Sequence, residues 1–156
     1  MRPDTWSRWC GAVRPWAALP LRLFVGYGFI AHGLAKLARG PDVFAATLQR
    51  LDVPSPHIMS WATILVELFG GCAVLFGAFI PLVFLPMTAV LLVAIVKVHW
   101  AYGFSSIKLA AVTAAGPQFG PPGIEVAVSY VAALTALLVG GAGPWSVERY
   151  LARRRE

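Results

Sequence analysis

Long apolar runs interrupted by single polar residues organise this chain. The first, residues 18–38 (ALPLRLFVGYGFIAHGLAKLA), is long enough to cross a hydrocarbon core of about 30 Å at about 1.5 Å per residue. Three more runs follow, at residues 57–79, 81–102 and 122–141. Between the first and second, PDVFAATLQRLDVPSP (41–56) places Val43, Phe44, Leu48 and Leu51 at helical spacing, with Asp42, Gln49, Arg50 and Asp52 elsewhere. That stretch is too short to span and reads as an amphipathic helix lying at the interface, closed by the VPSP turn. GAFIP (77–81) makes a tight reversal, Pro86 marks a kink in the third run, and a Gly/Pro-rich loop covers 103–123. The pattern predicts an all-α polytopic membrane protein: a four-helix transmembrane bundle with a short interfacial helix between helices 1 and 2. Its parts are an N-terminal segment (1–17), the membrane domain (18–142) and a basic tail (143–156). The first run carries His32 and Lys36 in its interior and lacks a small-x-small cleavage site, so it reads as retained rather than as a secretory signal.

Composition strengthens the membrane reading. Of 156 residues, 58% are hydrophobic and only 13% charged, with a mean hydropathy of +0.71, whereas soluble domains carry about 25% charge. The 13 Lys/Arg outnumber the 7 Asp/Glu. Arg2, Arg8, Arg14, Arg149, Arg153, Arg154 and Arg155 crowd the two termini, against Arg39, Arg50 and Lys108 on the opposite side. The positive-inside rule then puts both termini in the cytoplasm and the chain in the plasma (inner) membrane. No aromatic-interleaved basic motif accompanies the arginines, so membrane lipid is the expected partner and nucleic acid is not. Trp6, Trp9, Trp16, Trp100, Tyr102 and Trp145 fall where interfacial aromatic belts are expected. Cys10 and Cys72 form no C-x-x-C pair, and Cys72 is expected as a small packing residue.

The candidate chemistry lies in the ionisable residues inside the runs. A charge at the bilayer centre costs about 2.5–3.5 kcal/mol on insertion scales, so such groups face the bundle interior and find partners. Arg22, His32 and Lys36 lie in the first run, Glu67 in the second, Lys97 and His99 in the third and Glu125 in the fourth. At about 100° per residue, Arg22, His32 and Lys36 share an arc of about 80° with Phe29, and Gly26 and Gly33 adjoin it. Ser60, Thr63, Glu67, Gly70 and Gly71 share a second face, and Glu125, Ser129, Ala132, Ala136 and Gly140 a third. Small residues let helix backbones approach in lipid, so these three faces are expected to meet. Depth along the helices predicts two clusters: Arg22 with Glu67 and His32, and Glu125 with Lys36, His99 and Lys97. His32, Glu67, His99 and Glu125 are candidate proton-exchange groups, and Arg22 and Lys36 a candidate cofactor-binding polar cluster. The same residues also suit ion pairs that fix helix register and lysines that snorkel to the interface. The His and Cys spacings predict no metal site.

In order along the chain stand LRLFVGYGFIAHGLAK, with Arg22, His32, Gly33 and Lys36; VPSP; ELFGGCAVLFG, with Glu67; VHWAYGF, with His99; GIE, with Glu125; and GAGPWSVERYL. This ordered set resembles the DoxX family of small four-helix membrane proteins. Glu148 stands where relatives often carry Asp, and Lys97 matches no family position. The resemblance implies a membrane component of a redox system that meets a quinone, as cofactor, or a partner oxidoreductase subunit. The residues themselves leave open a non-catalytic scaffold that docks a partner, a small-solute or ion pathway, and a homo-oligomer.

Overall fold

The structure, a computed structural model, describes residues 5–154, with side chains from residue 9 onward. The expectations for Arg2, Trp6, Arg8 and Arg155 fall outside the residues or side chains described. Helix α1 (Thr5–Val13) passes through a 3-10 turn (Arg14–Ala17) into α2 (Ala18–Arg39), so the first helical run begins well before residue 18. Among the described residues, three helical stretches are long and apolar enough to cross a membrane: Trp9–Arg39, Pro56–Phe76 and Ile80–Tyr102. The second comprises α4 (Pro56–Leu65), a π-helical turn (Val66–Gly70) and α5 (Gly71–Phe76). The third comprises α6 (Ile80–Ala94), a second π-helical turn (Ile95–His99) and a 3-10 turn (Trp100–Tyr102). It stays helical through Pro86, and its irregular turn comes later. Helix α7 (Glu125–Gly140) has 16 residues, about 24 Å at 1.5 Å per residue, and packs against α2 and α6.

Small residues set the main contact, between α2 and α5. A Cβ on Gly26 would lie 2.7 Å from the Leu75 Cβ, and one on Gly71 would lie 2.9 Å from the Gly26 carbonyl oxygen. The two backbones therefore touch, as glycines permit in lipid. Further along, Gly33 faces Glu67 and Leu68, which fixes an antiparallel register. Val25, Phe29, Val74, Met87, Leu134 and Leu137 fill the core between the helices.

Helix α3 (Pro41–Arg50) forms between the first two spans. It packs on α4, where Ser60 Oγ donates to the Pro41 carbonyl at 2.7 Å, and buries Ala45 and Leu48 while Val43 stays exposed.

Three expectations need correction. The Gly/Pro loop contains an antiparallel hairpin, β1 (Leu109–Thr113) with β2 (Gly116–Phe119), so the fold is mostly helical rather than all-α. In α7 the small face points outward: Ser129, Ala132, Ala136 and Gly140 are exposed, while Ala127, Tyr130, Ala133, Leu134 and Leu137 are buried. The bulkier side chains win that interface because they fill the space left by the glycines of α2; Tyr130 sits against Gly28. Cys72 is exposed on the outer side of α5 instead of packed within it.

Candidate functional site

Arg22 is 3% exposed and is satisfied entirely by main-chain carbonyls. Its Nε donates to Val74 O at 3.3 Å, Nη1 to Ala142 O at 3.0 Å and Pro144 O at 3.2 Å, and Nη2 to Leu75 O at 2.8 Å and Trp145 O at 3.1 Å. Val74 and Leu75 lie in the last turn of α5, where carbonyls have acceptor capacity to spare; the Val74 oxygen also accepts from the Gly77 amide at 3.0 Å. The other three carbonyls belong to the segment after α7. Beside this knot Ser146 caps the N-terminus of α8 (Val147–Arg153), and Glu148 Oε1 accepts from the Ile80 amide at 3.0 Å. The expected Arg22–Glu67 pair does not form. Glu67 faces Gly33, eleven residues along α2 from Arg22 and thus about 16 Å away along the axis, beyond an arginine's reach.

The partner of Glu67 is Lys36. Its Nζ donates to both carboxylate oxygens, at 2.5 and 2.6 Å, and lies 5.2 Å from the centre of the Phe44 ring supplied by α3. The Glu67 side chain is 6% exposed and that of Lys36 24%. This pair borders a cavity of about 260 Å³ between α2, α6 and α7, shared with His32, His99, Phe29 and Tyr130. Of the residues singled out in sequence, His32, Lys36, Glu67 and His99 meet there. Glu125 does not join them: its Oε2 accepts from the Ser106 amide at 2.9 Å, tying the hairpin loop to the start of α7. Lys97 is exposed and lies outside the cavity wall.

Local backbone explains how two of these groups reach the cavity. Glu67 and His99 both lie in π-helical turns, wider than α-turns and frequent at functional sites. His99 Nδ1 sits 2.9 Å from the Pro122 carbonyl oxygen. A carbonyl only accepts, so Nδ1 carries the hydrogen and the neutral ring keeps its lone pair on Nε2. Lys36 has three N–H groups and uses two on Glu67, leaving one donor.

Sequence reasoning missed Tyr130 and Phe44. Tyr130 is the lone tyrosine of the fourth apolar run, and a Cβ on Gly28 would lie 1.8 Å from its hydroxyl. That Gly–Tyr pairing is invisible before the helices are docked. Phe44 was legible only as part of an amphipathic face.

The cavity thus combines apolar walls with a few hydrogen-bond donors and titratable side chains, the composition of a small-molecule site. A family model described as DoxX matches residues 17–100, a range that includes Lys36, Glu67 and His99 and stops before the hairpin and Tyr130. No curated protein and no solved structure matches the chain. With more than half of its length matched, and three membrane-length helices, the chain is a membrane protein that belongs to the DoxX family.

Proposed function

We propose that this protein is the membrane component of a redox system and that its cavity takes the head group of a quinone, with electrons supplied by a partner oxidoreductase subunit. In this reading all four long helices cross the plasma membrane and both termini are cytoplasmic, as the terminal arginines favour. The observation that carries the proposal is the Lys36–Glu67 pair, its carboxylate buried and its ammonium partly so, set in an apolar cavity beside two histidines and a tyrosine. Intramembrane ionisable groups gathered on one cavity favour function over packing alone.

The residues present fit such a group. A volume of about 260 Å³ suits a single ring with its chain outside. Phe29, Leu91 and Ala127 offer apolar walls, and the free N–H of Lys36 and the Tyr130 hydroxyl are donors for ring carbonyls. When bound, a quinone would supply two-electron, two-proton redox chemistry, with the electrons coming from the partner subunit. Lys36 and Tyr130 would hold the ring oxygens, where a positive donor and a hydroxyl favour negative charge. His32, and His99 once its Nε2 has taken up a proton, would deliver protons, and Glu67, already hydrogen-bonded to Lys36, would relay their replacement.

Equilibrium binding of a short-chain benzoquinone to the purified protein in mild detergent tests this. Saturable binding is expected, weakened about tenfold in Lys36→Gln, the effect of losing roughly one charge-assisted hydrogen bond to a ring carbonyl. Lys97→Gln, outside the cavity, is expected to bind as the parent does. Absence of saturable binding, or binding by a folded Lys36→Gln protein equal to the parent's, would overturn the proposal.

A further inference from the structure

A second cleft lies at the other end of the molecule. Trp16, at the junction leading into α2, meets Trp145 edge to face, with ring centres 5.1 Å apart and planes at 83°. These rings, with Pro15 and Pro144, wall a cleft of about 510 Å³ whose opposite side is formed by Arg149, Tyr150 and Arg153 of α8. Arg149 and Arg153 are four residues apart and so project from one side of the helix. Among the described residues neither has a carboxylate partner, because the nearby Glu148 is turned to the Ile80 amide and the ion pairs formed lie elsewhere. Arg154 is placed differently, 4.6 Å over the Tyr150 ring and outside the cleft wall.

We propose that this cleft binds the phosphodiester head group of an anionic phospholipid, held by the guanidinium groups of Arg149 and Arg153 against the wall that Trp16 and Trp145 form together. Guanidinium forks match phosphate oxygens in charge and geometry. Tryptophan belongs at the depth of lipid head groups, and basic pockets at the cytoplasmic ends of membrane helices suit anionic lipid. A track for the acyl chains continues from the cleft. Pro20, Leu23 and Tyr27 follow Trp16 at four, seven and eleven residues, forming one exposed stripe down α2. A free phosphate or an acidic protein segment would satisfy the arginines but leave that stripe without a role. The site is independent of the quinone proposal, lying about 20 residues, or roughly 30 Å, along the helix from Lys36.

The test is native mass spectrometry of the full chain released from detergent after addition of phosphatidylglycerol or phosphatidylcholine. Phosphatidylglycerol adducts are expected to survive activation that strips phosphatidylcholine. The Arg149→Gln/Arg153→Gln protein is expected to retain about tenfold less phosphatidylglycerol, with an unchanged unfolding temperature in neutral detergent, while Arg154→Gln retains it. Millimolar inorganic phosphate is expected not to displace the lipid. Equal retention of the two lipids by the unsubstituted protein overturns the proposal without reference to any variant. Undiminished retention in the double variant, or displacement by inorganic phosphate alone, overturns it as well.

Discussion

Lys36 and Glu67 share two short hydrogen bonds but not equal access to solvent, since Glu67 is the more deeply enclosed. Removing one member of a buried pair strands the other charge at about 3–5 kcal/mol. Lys36→Met strands the enclosed carboxylate and is expected to cost an amount in that range. Glu67→Leu leaves an ammonium on a long flexible stem that reaches toward water, and should cost less. Lys36→Met/Glu67→Leu together should be more stable than Lys36→Met alone; thermal unfolding in detergent measures all three, and strictly additive losses would contradict the pairing. The sequence showed His32 and Lys36 on one helix face but assigned Lys36 the wrong carboxylate. Depths counted from helix ends carry an error of several residues, whereas the true register is set by Gly26 and Gly71, whose contact only docking reveals.

At the scale of elements, Arg22 joins α2 to the end of α5 and to the segment between α7 and α8 through five carbonyls. Lysine keeps the charge but has three donors on one atom and no planar fork. Arg22→Lys is therefore expected to lose at least roughly 1.5–3 kcal/mol, the cost of one charged hydrogen bond, and to speed tryptic cleavage at the tail arginines. An unfolding temperature and cleavage rate equal to the parent's would contradict this role. The long helices were legible because apolar runs of membrane length leave few alternatives. The hairpin was not, since LAAVTAAGPQF lacks both a clear alternation and an Asn-Gly turn signal. The buried face of α7 was misread for a related reason: small residues mark where helices approach closely, but here the close approach is on the α2 side and Tyr130 fills it.

For the whole molecule, topology turns on α7, the shortest of the four long helices. If it crosses, the hairpin loop and the tail face opposite compartments. In a background with Cys10 and Cys72 replaced by serine, Lys108→Cys should react with an impermeant maleimide added to intact cells, and Arg154→Cys only after lysis. Reaction of both in intact cells would place α7 on one side and contradict the four-crossing reading. The central claim concerns the cavity between α2, α6 and α7, and a photoreactive benzoquinone addresses it most directly. After illumination of the purified protein, peptide mapping should find the label on residues 90–94 and 126–130, where α6 and α7 line the cavity, and excess unlabelled quinone should suppress it. Label spread over lipid-facing residues such as Leu82, Leu85 and Val139, unaffected by competitor, would show partitioning into the detergent shell and contradict a quinone site at Lys36 and Glu67.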